Sequence, residues 1–107
     1  MRIRKKSDYS PTEDMELIAR VSDALAHPLR LQLFRFIMQQ NKNMELVCTK
    51  DLVEHFDYAQ ATISQHMNTL TFSGLIDTKK KDKYTYYFAN MGVLTAYLSA
   101  TKRFAIV

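Results

Sequence analysis

Cys48 is the one cysteine in this 107-residue chain. A single thiol cannot close a disulfide within the chain, which excludes a disulfide-stapled scaffold and agrees with a reducing cytoplasm. Two glycines and two prolines supply few turns, so long helices are expected rather than a sheet-rich fold. No apolar run approaches the roughly 20 residues that a membrane span needs, and no membrane partner is expected. The basic start, Met1 to Lys6, is not followed by an apolar stretch with a small-residue cleavage site, so no signal peptide is read there. No glycine-rich phosphate loop, paired catalytic carboxylates or Ser/His/Asp arrangement stands out, and the chain is not read as an enzyme.

What the chain does have fits one domain. Apolar residues make up 47% of it, which argues against wholesale disorder. The core of so small a domain is modest, so help from a partner subunit fits. Charge is segregated along the chain. Arg2, Arg4, Lys5 and Lys6 make the start basic, residues 7–58 carry five basic and nine acidic side chains, and residues 59–107 carry six basic and two acidic. Positive charge gathered in this way suits a polyanion, because neutralised phosphates release condensed counterions. A solvated face would account for the charge alone equally well.

Residues 1–9 lack periodicity and read as a flexible basic arm; residues 10–107 read as one domain. Ser10, Pro11 and Glu13 mark a helix start, with a cap, a first-turn proline and a capping-box glutamate. That helix should run to about Ala26 with Leu17, Ile18, Val21 and Leu25 on one stripe. Pro28 opens a second helix over about 28–40, with His27 at its cap. Apolar residues, including Leu31, surround most of it, so it should be the most buried helix. A connector at 41–47 leads to a short helix at 50–56, for which Thr49 can cap. After a tight turn at Asp57-Tyr58, a further helix spans about 59–73, with Ile63, Met67 and Leu70 inward and Gly74 as its stop. Two helices joined by a short turn form a helix-turn-helix pattern. The period then changes. Residues 75–79 and 84–88 are rich in β-branched and aromatic residues and flank Lys80-Lys81-Asp82-Lys83, a hairpin with a charged tip. Tyr84, Tyr86 and Phe88 share one face, Thr85 and Tyr87 the other. A last amphipathic helix covers about 91–103. The expected fold is mainly α with a small β-hairpin: a winged helix-turn-helix.

The helix at 59–73 presents Gln60, Ala61, Thr62, Ser64, Gln65 and Asn68 away from its apolar stripe. An ordinary solvated face carries Glu and Lys. This one carries amides and hydroxyls, which can bond base edges and phosphates, and residues 59–76 hold no acidic group. Lys80, Lys81 and Lys83 follow at the hairpin, placed to straddle a phosphate row or the minor groove. The pattern points to double-stranded DNA as partner. Its rivals are a polar surface helix without a ligand and a lysine hairpin that only prevents edge pairing.

The segment Ala24-Leu25-Ala26-His27-Pro28-Leu29-Arg30-Leu31 resembles the opening of ArsR/SmtB-type transcriptional regulators. Ala59 to Met67 resembles their recognition helix, and Ser73-Gly74-Leu75-Ile76 with Tyr86-Tyr87 their wing. The resemblance covers roughly residues 15–90. It implies a homodimeric winged-helix repressor whose first and last helices form the interface, through Leu17, Val21, Leu94, Tyr97 and Leu98. It also implies that Gln60, Thr62, Ser64, Gln65 and His66 face DNA. His66 lies near the edge of the polar face, where it either meets a phosphate or fixes the wing's packing. Ala59 replaces the family's usual Ser, which leaves the cap to Asp57 or to a looser start.

Many such regulators release DNA on binding metal. One family site uses a Cys-x-Cys pair; here Lys50 stands where the second cysteine would be, and a cation cannot ligate. The other uses an Asp-x-His pair opening the last helix; here Asn90-Met91-Gly92 fills that place, and residues 93–107 hold no His, Asp, Glu or Cys. No metal or cofactor is expected. Two alternatives stay open: a winged helix used as a protein-interaction module, and a regulator sensing oxidants through Cys48, whose thiolate Lys50 would favour.

Overall fold

A computed structural model describes residues 10–106. The basic arm expected at 1–9 lies outside them. Five helices and one hairpin follow in the order α1 (Pro11–Leu25), α2 (Pro28–Lys42), α3 (Thr49–Phe56), α4 (Gln60–Phe72), β1 (Ile76–Lys81), β2 (Tyr84–Ala89) and α5 (Met91–Ala105). This is a winged helix-turn-helix.

The helix starts are written in the local chemistry. Ser10 Oγ accepts from the Glu13 N–H, and His27 Nδ1 accepts from the Leu29 N–H, each satisfying a donor that the first turn leaves without a partner. At α3 the capping residue is Cys48, one position before the expected Thr49: its N–H donates to Asp51 Oδ2 at 2.9 Å. Asp57 does not cap α4. It closes α3 in the left-handed region at φ 54°, and α4 starts at Ala59 without a side-chain cap. Asp tolerates that conformation because its short side chain bonds locally.

Leu33, Ile37, Leu52, Ile63, Met67, Leu70, Leu75 and Ile76 form the centre of the core. The second helix is less enclosed than its composition suggests. Leu29, Leu33, Phe34 and Ile37 are buried, while Leu31 is half exposed. Apolar residues all round a helix bury only where neighbours exist, and α4 and β2 cover one side of α2.

α1 and α5 pack together as an outer layer. Tyr97 Oη lies 3.0 Å from Ser22 Oγ, and Arg103 holds Asp14 with two bonds of 2.7 and 2.9 Å. Val21 has 0% exposure, which corrects its expected place at a subunit interface: the stripe on α1 is consumed by this chain's own core. Leu17, Leu94 and Tyr97 also pack partly against that core, while Leu98 is 51% exposed.

The two strands pair antiparallel from Ile76↔Ala89 to Lys81↔Tyr84. Only Asp82 and Lys83 form the turn, with Asp82 at φ 57°. The sequence suggested a four-residue tip. Strand β1 instead runs on to Lys81, because a two-residue turn lets Lys80 and Lys81 pair with Thr85 and Tyr84. Backbone bonds from Tyr87 N–H to Val47 O and from Asn90 N–H to Leu75 O anchor the wing's base.

Candidate nucleic-acid interface

Helix α4 has three distinct sides. Ile63, Met67 and Leu70 are buried. Ala61, Gln65, Asn68 and Phe72, spaced by four, three and four residues, are exposed and form the outward crest. Gln60, Ser64, Asn68 and Thr71 border a groove that Thr49, Lys50, Val53 and Glu54 of α3 and Thr78, Lys80, Lys83, Tyr84, Thr85 and Tyr87 of the wing complete. The opposite flank carries Thr62 and His66, both half-buried.

The predicted polar face therefore divides. Gln65 and Asn68 hold amides on the crest. Gln60 and Ser64 look into the groove beside the wing. Thr69 and Thr71, further along the helix, donate their hydroxyls to Gln65 O and Met67 O one turn back, a bond that competes with outward contacts. Phe72, 86% exposed at the end of the crest, was missed. Its signal was its spacing from Gln65 and Asn68.

The lysines also divide, because side chains alternate across a strand. Lys80 shares the groove-facing side with Thr78, Thr85 and Tyr87, while Lys79 and Lys81 lie on the other side with Tyr86 and Phe88, and Tyr84 at the strand's start also reaches the groove's edge. Lys83 borders the groove from the turn, its Nζ 5.6 Å from the centre of the Tyr84 ring. Tyr87 is buried, and its hydroxyl lies 2.9 Å from Thr49 Oγ1.

His66 is half-buried and turns toward the first turn of α2. Its Nδ1 lies 3.1 Å from Arg30 Nη1, and its ring centre is 4.6 Å from that of His27. Burial, the neighbouring His27 and the Arg30 guanidinium together hold its pKa below the ordinary 6.5. Each of these influences penalises the charged ring.

Cys48 is 8% exposed and bridges to Tyr86 at the wing's base. Thiols that sense oxidants are solvent-accessible, and this one is not. Among the described residues no group of three or more His, Cys, Asp or Glu is placed to hold a metal. The residues at the two family metal positions do not fit an ion: Lys50 borders the groove beside the buried Cys48, and Asn90 spends its amide as the cap of α5. No helix among the described residues is long and apolar enough to cross a membrane.

Residues 27–78 match the family model described as bacterial regulatory protein, arsR family. An arsenical resistance operon repressor of Staphylococcus aureus is 38% identical over 48 residues, 45% of this chain and 46% of that one. The matched stretch is thus about half the length of that relative. The fold resembles an ArsR-like transcriptional regulator from Rhodococcus sp., with a TM-score of 0.73, 19% identity and coverage of 84% and 80% of the two chains. It also resembles a homodimeric winged helix-turn-helix DNA-binding domain from Mycobacterium bovis, with a TM-score of 0.69, 17% identity and coverage of 100% and 94%. At such identities the two structures establish the fold.

Proposed function

We propose that this chain is an ArsR/SmtB-type homodimeric transcriptional regulator that binds double-stranded DNA sequence-specifically as a repressor, a reading that the arsR-family match over residues 27–78 supports. The observation that carries the reading is the crest of α4. Gln65 and Asn68 present amides, and beside them Lys80 and Lys83 border a groove. An amide pairs bidentately with adenine, and Ala61 suits a thymine methyl. Ammonium groups on the wing supply the phosphate grip that orients the helix. The exposed Leu98 on α5 and Met15 on α1 are apolar surface that a second copy would cover, and the similar M. bovis domain is homodimeric. Two copies would read half-sites about one helical turn apart.

Control by metal through the family's two sites is not part of this reading. Arsenic and soft metals call for several thiolates, and this chain has one cysteine. Adding zinc or arsenite should leave DNA affinity unchanged.

Fluorescence anisotropy with promoter fragments from the source genome, at several salt concentrations, tests the proposal. Specific binding whose log affinity falls linearly with log salt is expected. Absence of salt-dependent binding would sink it, as would binding unaltered by Gln65→Ala combined with Lys80→Ala. A second reading, a protein-docking module, is favoured only by the exposed Phe72. Interaction surfaces centre on several apolar anchors, and here a single aromatic stands at the end of a polar crest.

A further inference from the structure

Helix α4 has little of its own to secure its ends. Its start at Ala59 has no side-chain cap, its first turn holds no acidic residue, and its last turn holds no basic one. The carbonyls that end a helix lack intrahelical partners and gather partial negative charge. Most of those in α4 are served from nearby. Thr69 O and Thr71 O accept from the N–H groups of Ser73 and Gly74, both at 3.1 Å, and Leu70 O accepts from the Ser73 hydroxyl at 2.7 Å. The Ser73 carbonyl is served from across the fold. It accepts at 3.1 Å from Nε of Arg20, which lies on α1, 53 residues earlier in the chain. A guanidinium of α1 thus supplies the cation that the last turn of α4 lacks.

Ser73 is also where the wing begins. It is buried, and its hydroxyl accepts from the Leu75 N–H at 3.2 Å while it donates to Leu70 O. Gly74 turns the chain at φ +91°, with Val93 of α5 against the place a Cβ would take. The other attachment of α1 is to the middle of α4. Arg30 donates to Asp23 O and Ala24 O near the end of α1, and its Nη1 lies 3.1 Å from His66 Nδ1. Two points of attachment fix the direction of a rod. Arg30 holds the middle of α4 to α1, and Arg20 holds its end.

We propose that Arg20 is a positioning residue for DNA recognition: by tying the end of α4 to α1 it sets the half-site spacing that a dimer accepts. This rests on the homodimeric DNA-binding reading above. α1 and α5 form the outer layer, and their exposed Met15 and Leu98 are the surface assigned there to a second copy. The angle between α4 and α1 then decides how far apart two crests lie. In this role Arg20 acts through Ser73 O and not on the DNA. The rival role for an exposed arginine is a phosphate contact, which would add about 0.9 to the slope of log affinity against log salt; a strut adds nothing to it.

The test uses the whole chain and duplexes carrying two copies of a half-site recovered by selection from genomic fragments. The separation of the copies is stepped one base pair at a time around the roughly 10 base pairs of a helical turn. The unaltered protein should favour one separation. Arg20→Gln removes the cation from the end of α4. It should bind the favoured duplex about two- to fivefold more weakly and flatten the preference among separations. Its salt slope and its binding to a scrambled duplex should stay unchanged. Arg20→Lys, which keeps a cationic donor, should recover most of the preference. Arg20 is exposed and stands outside the core, so both variants fold. A spacing profile unaltered in Arg20→Gln overturns the proposal, even if the melting temperature falls, while DNA binding stands. A slope lower by about 0.9, with scrambled duplex weakened in step, makes Arg20 a phosphate contact and overturns it too. Indifference of the unaltered protein to separation has the same result. If the unaltered protein shows no salt-dependent binding, the DNA reading itself fails.

Discussion

The hydroxyls of Tyr87 and Thr49 lie 2.9 Å apart, joining the second wing strand to the first residue of α3, the helix that precedes α4. The wing is therefore held to the helix-turn-helix by a specific bond as well as by apolar contact. Tyr87→Phe should cost about 1 kcal/mol, a fall in melting temperature of roughly 4–8 °C for a domain of this size. Thr49→Val alone should cost about the same, and the double substitution little more than either, because both remove one bond. Thermal unfolding followed by circular dichroism reads all three.

Gln65 and Ser64 are neighbours in sequence with different outlooks. Gln65→Ala should lose about 1–3 kcal/mol of discrimination at one base pair, seen as a relaxed preference at that position in a panel of single-base operator variants. Ser64→Ala, on the half-buried groove flank, should leave the preference at that base pair unchanged.

Lys80 and Lys81 point to opposite faces of β1. Lys80→Ala should weaken binding evenly across sequences and lower the salt slope by about 0.9 per phosphate contact removed. Lys81→Ala should change the slope less. Equal effects would show that the tip, rather than the groove-facing side, meets the backbone.

Val21 and Leu98 separate folding from association. Val21→Ala should destabilise each protomer by about 2 kcal/mol through lost burial without altering the oligomer. Leu98→Asp should shift sedimentation toward monomer while leaving the protomer folded. A dimer unaffected by Leu98→Asp would place the interface elsewhere.

His66 also gives the isolated protein a pH dependence. Its folded pKa is lowered from 6.5, so between the two values the unfolded chain binds more protons. Stability is fully present above about pH 6.5 and is lost as pH falls through the interval below it. His66→Asn should flatten the profile of melting temperature against pH over that range.

The sequence is most legible where one residue's chemistry is local. Ser10, Pro11, Pro28 and Gly74 place helix ends correctly because caps, ring constraints and the φ of +91° at Gly74 depend on a few neighbours. Periodicity places Ile63, Met67 and Leu70 in the core for the same reason. Illegible features depend on what lies across the fold. Val21 is part of an apolar stripe in either a core or an interface, and only the packing of α5 decides which. His66 carries no hint that Arg30, 36 residues earlier in the chain, will claim its Nδ1. Lys80 and Lys81 look alike until the turn fixes the register and sends them to opposite sides.

Asn90 sits between the wing and the outer helices. Its N–H donates to Leu75 O, its Nδ2 donates to Asp77 Oδ2 at 3.2 Å, and its Oδ1 accepts from the Val93 N–H. One side chain thus belongs to both the hairpin's base and the start of α5, with no slack residue between them. A shift at the start of α5 would therefore be felt at the base of the hairpin. In the dimer proposed above, the way two copies seat through α5 would bear on the spacing of their wings.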